Sequence, residues 1–198
     1  MTQNIHISIS YLDGIPLDFV DEFVSNVTEK NLVLQNECRP SSVYATIEWM
    51  LPSVIAIFIS KYYFESFLKE AGKDHYYLLK DSISALFKKL FGSESELRPQ
   101  KCSLLISIHS QSKEGRHLKF VFPEGVSQDE YGKMLESLFD LLIQHYESEH
   151  EEELTRLIDR VSISGGTIYI EYSTGKKKWT LIDPASEAKK KATKDGKR

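Results

Sequence analysis

The chain holds only two cysteines, Cys38 and Cys102, among its 198 residues. That excludes a disulfide scaffold and a zinc site built from four thiolates. The start, Met1-Thr2-Gln3-Asn4, lacks the basic region and long apolar run of a secretory leader. A reducing, cytoplasmic setting with free thiols is therefore expected. No stretch approaches the ~20 apolar residues a spanning helix needs, which excludes a conventional polytopic membrane protein. Glycine-based signatures are missing too. There is no G-x-x-x-x-G-K-[ST], no G-x-G-x-x-G and no G-x-S-x-G, so the common nucleotide folds and the nucleophile elbow of a hydrolase are absent. No set of residues points to a cofactor.

What is present is ordinary for a globular protein: 41% hydrophobic and 27% charged residues. That apolar content can offset the entropy of ordering the chain. The formal charge of −4 is unevenly spread, because residues 176–198 hold nine basic side chains against three acidic ones. An acidic body with a basic end does not resemble a nucleic-acid-binding domain, whose folded face is usually basic. Specific nucleic-acid binding is not expected.

Residues 4–11 alternate, with Ile5, Ile7, Ile9 and Tyr11 on one side, as in a half-buried strand. Pro16 then starts a helix over 16–28, with Phe19, Val20, Phe23, Val24 and Val27 on one stripe. A short strand is expected from Asn31 to Gln35. Between Trp49 and Ser60 lies an uncharged run of twelve residues. With no polar stripe it predicts a buried helix, which the amphipathic continuation Tyr62 to Leu68 extends to 43–71. Asp74 is placed to cap a second helix over 74–91. The two make a helical hairpin rich in tyrosine.

Residues 92–101 are the candidate linker, dividing a mainly helical half (1–91) from a sheet-rich one (102–184); the alternative is one continuous domain in which the first strand joins that sheet. After the linker, Ile106 and Ile108 alternate with Ser107 and His109. Leu118, Phe120 and Phe122 alternate with His117, Lys119 and Val121, so an antiparallel hairpin is expected. Ser127 and Glu130 have capping-box spacing before a long helix that buries Tyr131, Met134, Leu135, Leu138 and Leu142. That helix either runs to about Asp159 or breaks in the Glu-rich stretch 147–153. Gly165-Gly166, between Val161–Ser164 and Thr167–Tyr172, reads as a hairpin turn. A further strand carries Trp179 and Leu181, and 185–198 reads as a solvated basic tail. The expected class is α+β: an N-terminal strand and helical hairpin, then an antiparallel sheet of about five strands with a long packed helix.

Few residues suggest chemistry. Glu48 precedes the apolar run, where burial would raise a carboxyl pKa. His75 sits beside Asp74 at a helix start. Both are weak catalytic candidates, and more simply a surface carboxylate and an exposed turn. His145, Glu149, His150 and Glu153 have the i,i+3 and i,i+4 spacing of metal ligands. Five of the seven residues 147–153 are glutamates, so a solvated acidic face is the better reading and no metal is expected.

Tyr62, Tyr63, Tyr76 and Tyr77 are candidate contacts for a protein partner, since aromatic residues are enriched at interfaces. Lys176, Lys177 and Lys178 at a hairpin turn, with Lys189, Lys190 and Lys191 in the tail, are candidate contacts for an anionic partner. The leading expectation is a non-enzymatic interaction or regulatory protein acting through the aromatic hairpin. One alternative is a membrane-associating effector that exposes the helix 43–71 to an anionic surface. The other is an enzyme of unfamiliar type with its site between the two halves. Oligomeric state is not legible.

Overall fold

The computed structural model describes residues 4–28, 32–40, 53–66, 72–91, 106–123, 126–161 and 166–183. Chain order runs β1 (Ile7–Leu12), α1 (Leu17–Thr28), β2 (Leu34–Arg39), β3 (Ile55–Ile59), α2 (Lys61–Ser66), α3 (Gly72–Phe91), β4 (Ile106–Gln111), β5 (His117–Val121), α4 (Gln128–Glu147), α5 (Glu153–Asp159), β6 (Thr167–Ser173) and β7 (Lys178–Leu181). The fold is α+β, with a seven-stranded sheet ordered β2-β1-β3-β4-β5-β6-β7. Strands pair parallel where helices intervene: β1 with β2, β3 with β4, β5 with β6. The remaining neighbours pair antiparallel, two of them through tight turns. This follows from chain geometry, because a parallel neighbour requires a crossover of about a dozen residues or more.

Register gathers the apolar side chains onto one face. Ile9, Ile57, Ile108, Phe120 and Ile170 lie side by side across five strands, and all are 0% exposed. Burying one such side chain is worth about 1.5–3 kcal/mol. Against this face pack Val20, Phe23 and Val27 of α1, Leu79, Ile83 and Leu86 of α3, Leu135, Leu138 and Leu142 of α4, and Leu154 and Ile158 of α5. Two ion pairs tie α3 to its neighbours: Lys80 to Glu136 of α4, and Lys89 to Glu22 of α1. The opposite face carries Ser8, Ser10, Ala56, Phe58, Ser107, His109, Lys119 and Tyr169.

Several expectations hold. Alternation placed β1, β4, β5 and β7, and the capping box at α4 is complete, with Ser127 and Glu130 each accepting from the other's backbone N–H. The C-terminal half supplies four strands, and the sheet runs on through three more from the N-terminal half.

The helix 43–71 is not formed. Its apolar centre is β3; among the described residues beyond it Lys61–Ser66 is helical, and 43–52 and 67–71 lie outside the described residues. Ile55, Ile57 and Ile59 are β-branched, and they alternate onto the buried face with Ala56 and Phe58 between. A strand paired on both sides with apolar residues on both faces reads as an unbroken apolar run, the same signal a buried helix gives. Residues 162–165 of the hairpin expected at Gly165-Gly166 lie outside the described residues, and β6 pairs instead with β5 and β7. The long helix ends at Glu147, and Glu152 caps α5 by accepting from the N–H groups of Leu154 and Thr155.

Candidate functional site

Charge concentrates at one end of the sheet. α5 carries Arg156 and, at its C-cap, Arg160, one helical turn apart. Facing them is the turn Thr174–Lys177 joining β6 to β7, with Lys177 at φ 51°. Together they line a cavity of about 440 Å³ with Arg156, Arg160, Lys176 and Lys178 on its walls. Leu157, Trp179 and Leu181 supply its apolar part, and Glu153 is the acidic residue among its lining. None of the four cations makes an ion pair with a described residue. The ring of Trp179 is 2% exposed and packs edge-on to Phe120, Phe122 and Tyr172 with centroids 5.3–5.5 Å apart. Its buried Nε1–H has no acceptor among the described residues.

A second polar cluster lies on the sheet face away from the helices. Ser53 donates to Ser107 Oγ at 2.6 Å, and Ser107 Oγ lies 2.8 Å from His109 Nε2. Arg39 donates through Nη2 to the Ser53 carbonyl at 3.3 Å, while its Nε is buried without an acceptor among the described residues. Burial pushes His109 down to about 3, helped by the positive charge of Lys119, Arg39 and His117. The imidazole is thus neutral and accepts the Ser107 proton. A pKa that far below neutrality makes it a poor general base, since the efficient base titrates near the working pH. The chain Ser53–Ser107–His109 satisfies hydroxyls that would otherwise be buried unpaired. Lys119, 2% exposed, lies with Nζ 5.9 Å from the centroid of Tyr169.

The third cluster fastens the helices to the β4–β5 turn. His145, fully buried, accepts the Lys113 N–H at Nε2 (3.1 Å), so its Nδ1–H donates to Glu152 at 2.6 Å. Burial works against ionising Glu152, but hydrogen bonds from Thr155, His145 and the N–H of Leu154 and Thr155 outweigh it and hold the carboxyl below its ordinary range. His145 therefore pairs with Glu152 rather than with Glu149 or Glu153. Among the described residues no group of three or more His, Cys, Asp or Glu side chains is placed to hold a metal ion.

The tyrosines divide. Tyr63 is buried and donates to the His75 carbonyl at 2.9 Å, and burial raises its pKa. Tyr76 is half-buried, edge-on to Phe139 at 5.4 Å. Tyr62 and Tyr77 are 36% and 51% exposed. His75 lies in the first turn of α3, half-buried, and its carbonyl accepts from Tyr63. Glu48, Lys189, Lys190 and Lys191 lie outside the described residues. Of the basic candidates, Lys176 and Lys178 line the cavity and Lys177 sits in the turn between them.

Arg156, Arg160 and Trp179 were not expected as site residues. Their one sequence signal is the i,i+4 arginine spacing, which does not say what faces those arginines across the fold. Comparison with protein-family models, curated proteins and solved structures finds no match.

Proposed function

We propose that this is a non-enzymatic binding protein whose recognition surface is the cationic groove between α5 and the β6–β7 turn, and that it takes an acidic segment of a partner protein. One observation carries the reading: four cations converge on one cavity, unpaired among the described residues, in a chain whose net charge is negative. Such a concentration of one sign raises the local concentration of an oppositely charged partner and speeds its docking. The groove supports partner binding better than the tyrosines do, because Tyr63 and much of Tyr76 are spent on internal packing. Insertion of an apolar helix 43–71 loses its basis, since Ile55–Ile59 is an internal strand. No helix among the described residues is long and apolar enough to cross a membrane.

The test is fluorescence anisotropy with a labelled pool of degenerate decapeptides carrying four glutamates, against a matched pool carrying four glutamines. The acidic pool is expected to bind at low salt and to weaken as salt rises. Exposed charge pairs are worth roughly 0.2–1 kcal/mol each, so reversing two cations in R156E/K178E should cost about tenfold or more. Equal binding of both pools, or unchanged binding by the double variant, overturns the reading.

A further inference from the structure

Resting on that reading, we infer that the group the groove is built to recognise is a phosphomonoester on a side chain of the partner, rather than a carboxylate. Three features of the cavity point there. Arg156 and Arg160, a turn apart on α5, each offer a planar fork of N–H donors, which matches the tetrahedral oxygens of a phosphate bidentately. Lys176 and Lys178 face them as point charges. Four cations around one cavity suit a dianion with three acceptor oxygens better than a monoanion with two.

The second feature is Trp179. Its Nε1–H is buried without an acceptor among the described residues, and Trp179 is one of the residues lining the cavity. A buried donor left unpaired is costly, and an indole N–H can only donate. An oxyanion seated in the cavity reaches that buried donor only if the ring shifts toward it, and the bond so gained is available only in the complex.

Size and lining are the third. About 440 Å³ lies within the range of small-ligand pockets and is far more than a carboxylate fills. Leu157, Trp179 and Leu181 give the arm that carries the phosphate an apolar wall. Glu153 opposes any anion here. It makes no ion pair with Arg156, so E153Q should tighten binding severalfold.

The experiment is anisotropy with three nonapeptide pools, identical except for a central phosphorylated residue (equal parts phosphoserine and phosphotyrosine), glutamate or alanine. Each is titrated with the full chain and with R156K/R160K, which keeps the charge and removes the forks. Circular dichroism and the melting temperature confirm that the variant is folded. The phosphorylated pool should bind at least tenfold tighter than the glutamate pool. R156K/R160K should erase most of that preference while retaining the affinity for glutamate. Equal binding of the phosphorylated and glutamate pools, both above alanine, overturns the phosphate inference and leaves the acidic-partner reading standing. A phosphate preference undiminished in the lysine variant also overturns the inference, because charge alone then explains it. No binding of any pool above alanine overturns both readings.

Discussion

His109 should make the protein lose stability in mild acid, by an amount that can be worked out. Burial and the nearby positive charges lower its pKa from 6.5 to about 3. Between those values the unfolded chain binds a proton that the folded chain refuses, so stability falls as pH falls. The contribution is whole above the unfolded pKa and drains away below it. At pH 5 the unfolded imidazole is 1.5 units below its midpoint while the folded one is still neutral. At 1.36 kcal/mol per unit, moving from pH 7.5 to pH 5 costs about 2 kcal/mol. That figure hardly depends on the folded value, provided it lies well under 5. Other groups titrate in the same window, so the comparison is with H109Q, whose amide oxygen can still accept the Ser107 proton. Urea unfolding of both proteins at the two pH values, extrapolated linearly, gives the stability gap directly. The gap in favour of wild type should shrink by about 2 kcal/mol on acidification. Parallel pH profiles would refute the neutral, buried imidazole and the Ser53–Ser107–His109 chain built on it.

Two further perturbations test the framework. I57A removes most of a fully buried side chain between Ile9 and Ile108 in the five-strand row, and should cost about 2–5 kcal/mol by chemical denaturation. A loss under 1 kcal/mol would argue against β3 as an internal strand. E152A strips the cap of α5 and orphans the His145 Nδ1–H. Losing the cap costs about 1 kcal/mol and the buried donor about 1–3 more, so a total of about 2–4 kcal/mol is expected. A variant as stable as wild type would show that the His145–Glu152 pair holds nothing together.

How much was legible depends on how local each signal was. The capping box at Ser127 and Glu130 is read from three consecutive intervals in the chain, and the structure has it complete. Alternation over 117–122 assigned Leu118 and Phe120 to the core and Lys119 to the other face, because period two leaves one choice of side. Ile55–Ile59 failed for the opposite reason. Whether five uncharged residues coil or extend is decided by what pairs with them, here β1 at Ile7–Tyr11 and β4 at Ile106–His109, both distant in sequence. The parallel pairs were invisible for the same cause. The lysines at 176–178 were readable as a basic turn. That Arg156 and Arg160 stand across from Lys176 and Lys178 was not, because it requires α5 to break from α4 at Ser148–Glu152 and to pack beside β7.

The three polar clusters differ in one respect that separates structure from recognition. Around His145 the ring nitrogens are both used, and Glu152 accepts from the side chain of His145 and from two backbone N–H groups. In the Ser53–Ser107–His109 chain each hydroxyl has its partner, and Arg39, though its Nε is orphaned, still donates through Nη2. These clusters close on themselves and add to the consistency that makes a sequence specify one fold. The groove does the reverse. It sets four cations on one cavity without a described ion pair and buries an indole donor without an acceptor. Like charges held together and an unpaired donor both oppose folding. An orphaned donor also occurs at Arg39, so what sets the groove apart is its unpaired like charge, a conflict that a ligand of opposite sign resolves. That is why the groove, rather than the serine–histidine chain with its more enzyme-like residues, is the place to look for function.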